Sequence, residues 1–403
     1  MLGLIPTELW EYKFSDIIRG LAASLGARKL DGMLDIPGLG NCIPTRSGRA
    51  GLIASIKALN LPRDARIGVP LYCCPVVFKA IKAVGYTPRF IDIEPATYCM
   101  SADDLFRKRS EIDAVIAVHM FGNMCDMPSM QEAAQGIPII EDCAQSLGST
   151  LNGRMAGSFG TIAAFSFRSG KYLSVGEGGA LFSNHAEIRF RLSELIAAMP
   201  APSIAEECAH VAVTYIRSML RSKPLYGVVG YPLWNIYNKK VDYSAKSPIC
   251  LTQIYGADFV ITGNRLKHLD SAIKGQRANA DFYSSTLKLD PGMLCSEKPG
   301  TFYNRYLFPI LFHSSEQRDF IADYLHNLQI DTAKPYKDIA DIAATHYEYT
   351  GDCPEAEQVA KRVLVIPSYY NLKKGVVQRI AQYLNTGWAE ITIRGHDRMN
   401  LHN

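Results

Sequence analysis

Ile137-Pro138-Ile139-Ile140-Glu141-Asp142-Cys143-Ala144-Gln145 is a short apolar run that ends in two carboxylates. About thirty residues after Asp142, Phe165-Ser166-Phe167-Arg168-Ser169-Gly170-Lys171 runs from apolar residues into a polar loop ending on an amine. Short apolar runs bounded by polar or glycine residues read as buried strands. Working outward, 66–71, 87–93, 113–120, 137–140, 161–167 and 179–182 read as strands. Between them, 50–59, 75–84, 102–109 and 129–135 carry helical spacing. This alternation predicts an α/β fold with a mostly parallel central sheet flanked by helices. Ile188, Leu192, Leu195 and Ile196 then mark one helical face, and Leu266, Leu269 and Ile273 begin another. From about Thr301 the pattern changes to a strand at 306–312 and a helix at 316–328, as in a smaller C-terminal α+β domain. The expected division is an N-terminal arm, 1–40, a large domain, 41–275, with an unusual segment at 210–243, and a small domain, 276–403.

The 403 residues are 48% hydrophobic, enough for two well-formed cores. Forty-three Lys and Arg against 39 Asp and Glu give a net charge of +4, which does not indicate a nucleic-acid surface. Ten cysteines show neither disulfide-like regularity nor zinc-ligand spacing, so no metal is expected and a reducing cytoplasm fits best. The start lacks secretory-signal features, and no segment reaches membrane-span length.

Asp142 falls at the carboxyl end of a buried strand, where open α/β sheets bind ligands. A carboxylate there needs a partner, and a protonated pyridine nitrogen is one; a structural Asp capping the next turn is the alternative. Ser166 ends the next strand, and Lys171 follows five residues later in a loop pinned by Gly176-Glu177-Gly178-Gly179. Earlier, Thr45-Arg46-Ser47-Gly48-Arg49-Ala50-Gly51 opens a helix whose free amides and dipole favour an anion. An amine for a Schiff base, an acid for a ring nitrogen, and hydroxyl and amide donors for a phosphate together suit pyridoxal 5'-phosphate. Each motif alone also has a bland reading: a solvated lysine, a helix cap, a glycine turn. Gln145, one turn beyond Asp142, bonds either the cofactor ring oxygen or backbone.

Ser47-Gly48-Arg49-Ala50, Val118-His119-Met120-Phe121-Gly122, Glu141-Asp142-Cys143-Ala144-Gln145, Phe165-Ser166-Phe167, Lys171 and Gly176-Glu177-Gly178-Gly179 resemble, as an ordered set, the DegT/StrS-type nucleotide-sugar aminotransferases. That family has the type I fold of pyridoxal-phosphate enzymes. The likeness is clearest over 42–184, weaker over 251–277 and faint over 357–367. It implies that Lys171 is the Schiff-base lysine and proton shuttle, that Asp142 partners the pyridine nitrogen, and that Gln145 lies beside the ring. Ser166 and the Gly48-Arg49 backbone would hold the phosphate. It also implies glutamate as amino donor, a nucleotide- or lipid-linked keto-sugar as acceptor, and a homodimer.

Several positions depart from the family pattern. Gly48-Arg49 replaces Gly-Thr, Cys74 stands where an aromatic residue commonly stacks on the cofactor, Cys250 replaces a neighbouring-subunit asparagine, and Lys334-Pro335-Tyr336 replaces a His-Tyr pair. The segment 210–243 lacks a family counterpart; it reads either as a lid or membrane-surface element or as a dimer or domain contact. Two other activities stay open: elimination or dehydration, where the related dehydratases carry histidine in place of Lys171, and cofactor binding without turnover. A nicotinamide dehydrogenase is disfavoured because the first strand-helix turn lacks GxGxxG.

Overall fold

The computed structural model describes residues 3–26, 32–238, 249–295 and 297–400. Its centre is an eight-stranded sheet made of β1 (Leu34–Ile36), β2 (Gly40–Thr45), β3 (Arg66–Pro70), β4 (Thr87–Ile91), β5 (Ala114–Val118), β6 (Ile139–Asp142), β9 (Ile162–Ser166) and β10 (Gly179–Phe182). Their spatial order is β1-β2-β10-β9-β6-β5-β3-β4. The run from β9 to β4 is parallel, and β1, β2 and β10 add an antiparallel edge. Strands β5 and β6 are buried along their whole length, which explains the unbroken apolar sequence of β5 and the apolar start of β6: helices cover both faces. Leu34–Ile36, read above as part of the arm, is instead the sheet's edge strand.

The covering helices are α1 (Phe14–Leu25), α2 (Gly48–Ala58), α3 (Pro75–Ala83), α4 (Ala102–Lys108), α5 (Met127–Ala134), α6 (Ala186–Ala197) and α9 (Gly256–Leu266). Between α6 and α9, spanning the described part of 210–243 and beginning six residues before it, lie α7 (Ile204–Leu220), a π-helical turn at Tyr226–Gly230 and α8 (Tyr231–Asn238). Residues 239–243 of that segment fall outside the described residues. The short strands β7 (Thr150–Leu151) and β8 (Arg154–Met155) pair with β11 (Thr301–Phe302). The C-terminal part consists of α10 (Leu269–Thr286), β12 (Phe308–Leu311), α11 (Ser315–Asn327), α12 (Ile339–Tyr347), α13 (Pro354–Arg362), β13 (Val363–Ile366) and α14 (Lys374–Asn400).

Two apolar clusters hold this together. The larger surrounds the sheet; the smaller gathers Tyr283, Phe308, Phe312, Leu325, Leu364 and Trp388 around the β12–β13 pair. The expected division near residue 275 falls inside the single helix α10, and Ile339, Tyr347 and Val359 pack into the larger cluster. The chain thus returns to the sheet after leaving it.

Strand pairing sets the functional edge. Val118, Asp142 and Ala164 are neighbours on β5, β6 and β9, while Ser166, Gly179 and Thr45 are neighbours on β9, β10 and β2. Asp142 and Ser166 therefore leave the sheet at the carboxyl ends of parallel strands.

Candidate active site

The two carboxylates that end β6 have different surroundings. Glu141 points into the interior: His119 Nε2 lies 2.9 Å from its Oε2, which also accepts from Gly157 N at 2.8 Å, and its Oε1 accepts from Phe159 N at 2.7 Å and Gly160 N at 2.6 Å. Cys125 N donates to His119 Nδ1 at 3.1 Å, so the ring proton sits on Nε2. Burial alone would push the Glu141 carboxyl up, but His119 and the amide donors more than offset it and hold it below its ordinary value. His119, Glu141 and Cys143 lie close enough to ligate a metal, yet both histidine nitrogens and both carboxylate oxygens are already engaged. Glu141 is a brace for the 157–160 turn.

Asp142 is also buried, but only Ala144 N, at 3.0 Å from Oδ1, donates to its carboxylate. Among the described residues no donor reaches Oδ2. Burial pushes this carboxyl up, against the pull of that amide and then of Lys171 and His119. A buried acceptor with one free oxygen fits a pyridinium N–H. Gln145 is engaged at both ends of its amide: Oε1 accepts from Phe121 N at 3.1 Å, and Nε2 contacts Met120 Sδ at 3.4 Å. It braces the 120–122 turn.

The α2 N-terminus forms the second wall. Ser47 caps the helix by accepting from Ala50 N at 3.2 Å. A Cβ on Gly48 would lie 2.7 Å from Ser166 Cβ and 3.1 Å from its Oγ, so only glycine lets the helix start come so close to β9. Hydroxyl and early helix amides thus converge as a phosphate requires. Behind them, Arg46 and Arg49 are both paired with Glu177 of the glycine turn, and the Arg46 guanidinium lies 3.8 Å from the Tyr255 ring centroid. The Arg49 side chain is held by that pairing.

Lys171 closes the arrangement. Its loop is fixed by Lys171 N to Arg168 O at 2.8 Å and Ser169 N to Gly176 O at 2.9 Å. Gly170 has φ +86°, and a Cβ there would meet Glu8 Oε2 at 2.6 Å and Trp10 Nε1 at 2.8 Å. The Lys171 Nζ lies 5.0 Å from the Tyr306 ring centroid, and Tyr306 donates its hydroxyl proton to Gly170 O at 2.6 Å. Protein surrounds the amine, although its side chain keeps an opening to the cavity. Burial, and then the charge of Arg168, push it down to about 8, while Cys74, Asp142 and Glu8 pull the other way. The cavity beside it is lined by Thr7, Glu8, Leu9, Tyr306, Tyr369 and Tyr370 among others. Asp142, Gln145, Ser166 and Gly48 do not line it. Glu8 and Tyr306 carry no sequence signal of their own; only the fold brings them to the lysine.

The departing positions fall in distinct places. Tyr72 is fully buried, edge-on to Tyr336 with centroids 5.7 Å apart, and donates to Pro335 O at 3.2 Å, so it is not free to replace a stacking aromatic. Cys74, at the start of α3, stays partly exposed within the field of Lys171. Lys334 pairs with Asp319 at 2.5 Å. Cys250 is exposed, its Sγ 3.9 Å from Thr252 Oγ1.

Known proteins bear on this arrangement. The profile of the DegT/DnrJ/EryC1/StrS aminotransferase family matches residues 33–201 and 257–385. A protein of Acidithiobacillus ferrooxidans named UDP-N-acetyl-3-dehydro-alpha-D-glucosamine 3-aminotransferase is 27% identical over 86% of this chain and 84% of its own length. A GDP-perosamine synthase of Vibrio cholerae is 28% identical over 71% of this chain and 69% of its own. The crystal structure of the aminotransferase TlmJ from Streptoalloteichus hindustanus matches the fold with a TM-score of 0.75 at 20% identity, covering 96% of this chain and all of that one. The chain belongs to the DegT/DnrJ/EryC1/StrS aminotransferase family and is a pyridoxal-phosphate-dependent aminotransferase of the type I fold.

Proposed function

We propose that the chain moves an amino group from glutamate to a keto-sugar carried on a nucleotide or a lipid, as a homodimer in the cytoplasm. The names of its relatives, a UDP-N-acetyl-3-dehydro-glucosamine aminotransferase and a GDP-perosamine synthase, support the acceptor class. The observation that carries the chemistry is a lysine amine pushed down to about 8 within the field of a buried carboxylate that keeps one oxygen unpaired. Bound pyridoxal phosphate supplies an electron sink for negative charge on the substrate carbon. Lys171 Nζ would hold the cofactor and then, released, carry the proton between carbon and nitrogen sites; an amine with a value near 8 can both accept and donate at neutral pH. Asp142 would keep the ring nitrogen protonated, and Ser166 with the Gly48 and Arg49 amides would hold the phosphate. Gln145 would stiffen the wall beside the ring.

The absorption spectrum of the purified protein before and after glutamate tests this reading. Conversion by glutamate, reversed by one or more keto-sugars, is the expected outcome. Borohydride reduction followed by peptide mapping should place the cofactor on Lys171; attachment to another lysine would sink the assignment.

A further inference from the structure

Three neighbouring helices present apolar side chains to solvent. On α1 these are Phe14, Ile18 and Leu25; on α7, Val213, Ile216 and Met219; on α8, Leu233, Ile236 and Tyr237; the turn between α7 and α8 adds Val228 and Val229. Spacings of three, four and seven keep each set on one side of its helix. The other sides are already occupied: α1 packs on α7 and α9, and Val211 and Thr214 of α7 are buried. Scattered exposed apolar residues are ordinary, but so many on adjoining helices mark a binding face.

Beyond the first turn of α7, which carries Glu206 and Glu207, the charge on this face has one sign. Residues 208–238 contain Arg217, Arg221 and Lys223 and no acid. Among the described residues, Arg217, Arg221 and Lys223 form no ion pair. Lys223 is pushed down by burial and then by the charges of Arg379 and Lys373. Arg221 lies over Trp10 at 4.7 Å, Trp234 at 4.3 Å and Tyr226 at 5.3 Å, and the two indoles meet edge to face at 5.5 Å.

We propose that this face docks on the surface of an anionic phospholipid bilayer. Apolar side chains, indole and phenol rings and unpaired cations on one surface suit the boundary between headgroups and acyl chains. A second copy of the chain fits less well, because a two-fold contact brings the cationic segment against itself. No helix among the described residues is long and apolar enough to cross a membrane, so the contact is peripheral. The face reaches toward the active site: Trp10, which packs on Trp234, directly follows Thr7, Glu8 and Leu9 of the Lys171 cavity. Docking of this kind is independent of which sugar is the acceptor.

Sedimentation of the full chain with vesicles tests the proposal. Binding to phosphatidylglycerol–phosphatidylethanolamine vesicles that weakens with salt, with little binding to phosphatidylcholine alone, is expected. Leu233→Asp with Ile236→Asp should lower partitioning more than ~10-fold, and Lys223→Gln by about fivefold for one cation. Both variants should keep the wild-type circular dichroism and the wild-type response to glutamate. If the double variant folds poorly, Lys223→Gln carries the test alone. The proposal is overturned if the wild type does not bind anionic vesicles, if it binds neutral ones equally, or if neither variant changes binding. It is also overturned if sedimentation velocity shows that Leu233→Asp with Ile236→Asp halves the particle mass, which would make the face an interface between copies.

Discussion

Lys171 gives up its proton more readily than an ordinary lysine because protein surrounds it and Arg168 repels its proton, and these outweigh Cys74, Asp142 and Glu8. The rate at which cofactor-free protein captures pyridoxal phosphate should therefore rise with pH through about 8, as the neutral nucleophile accumulates. Arg168→Gln removes a repelling cation, so the midpoint should move up, by less than about one unit because Arg168 is exposed. Stopped-flow absorbance across a pH series reads both; a midpoint that moves down would contradict the electrostatic account. Lys171→Ala should abolish covalent capture and lower turnover by at least ~100-fold with the far-ultraviolet spectrum unchanged. At this scale the sequence was legible where chemistry is tied to motif. Asp142, Ser166 and Lys171 stand in ordered short runs, whereas Tyr306 lies 135 residues beyond the lysine it faces and bears no mark that sets it apart from the chain's other tyrosines. Gln145 shows the converse: its spacing admitted two partners, and only the position of Phe121 decides for backbone.

At the scale of elements, β6 delivers one carboxylate with both oxygens engaged and one that accepts a single hydrogen bond. Glu141→Ala leaves four donors unmet in a dry interior, so it should lower the unfolding free energy by about 3 kcal/mol or more, read by urea denaturation. Because the folded Glu141 carboxyl lies below its ordinary value of 4.5, its stabilisation is complete above that pH and is lost as pH falls through the folded value. The variant should show correspondingly less loss of stability in acid. Gly48→Ala forces the start of α2 away from Ser166; it should weaken pyridoxal phosphate binding by ~10-fold or more, the worth of one charge-assisted hydrogen bond, measured by titration of the cofactor-free protein. The strands with unbroken apolar runs were readable because burial on both faces imposes that composition. β1 was not: three residues at a sheet edge, Leu34-Asp35-Ile36, alternate too briefly to stand out. The pressing of Gly48 onto β9 was likewise invisible, since it depends on register between strands far apart in sequence.

Across the whole molecule, the N-terminal segment joins parts that the sequence keeps separate. Ile5 pairs with Gln329 and Asp331 through backbone hydrogen bonds of 2.9 Å, and Thr7 Oγ1 donates to Asp331 Oδ2 at 2.9 Å. Tyr226, from the turn after α7, donates to the same oxygen at 2.5 Å. Ser218 of α7 accepts from Tyr12 N at 3.0 Å and donates to Trp10 O at 2.5 Å. Between these anchors run Glu8 and Leu9, which line the Lys171 cavity. Tyr226→Phe should lower overall stability by about 1 kcal/mol and raise the acceptor KM more than it alters kcat, because it slackens a cavity wall without touching the reacting groups. One segment held at both ends thus spans from the α7–α8 side of the molecule to the lysine cavity. A change in affinity at the lysine produced by tightening it from the side of α7 and α8 would be matched, by the same factor, in the effect of a ligand at the lysine on that outer face.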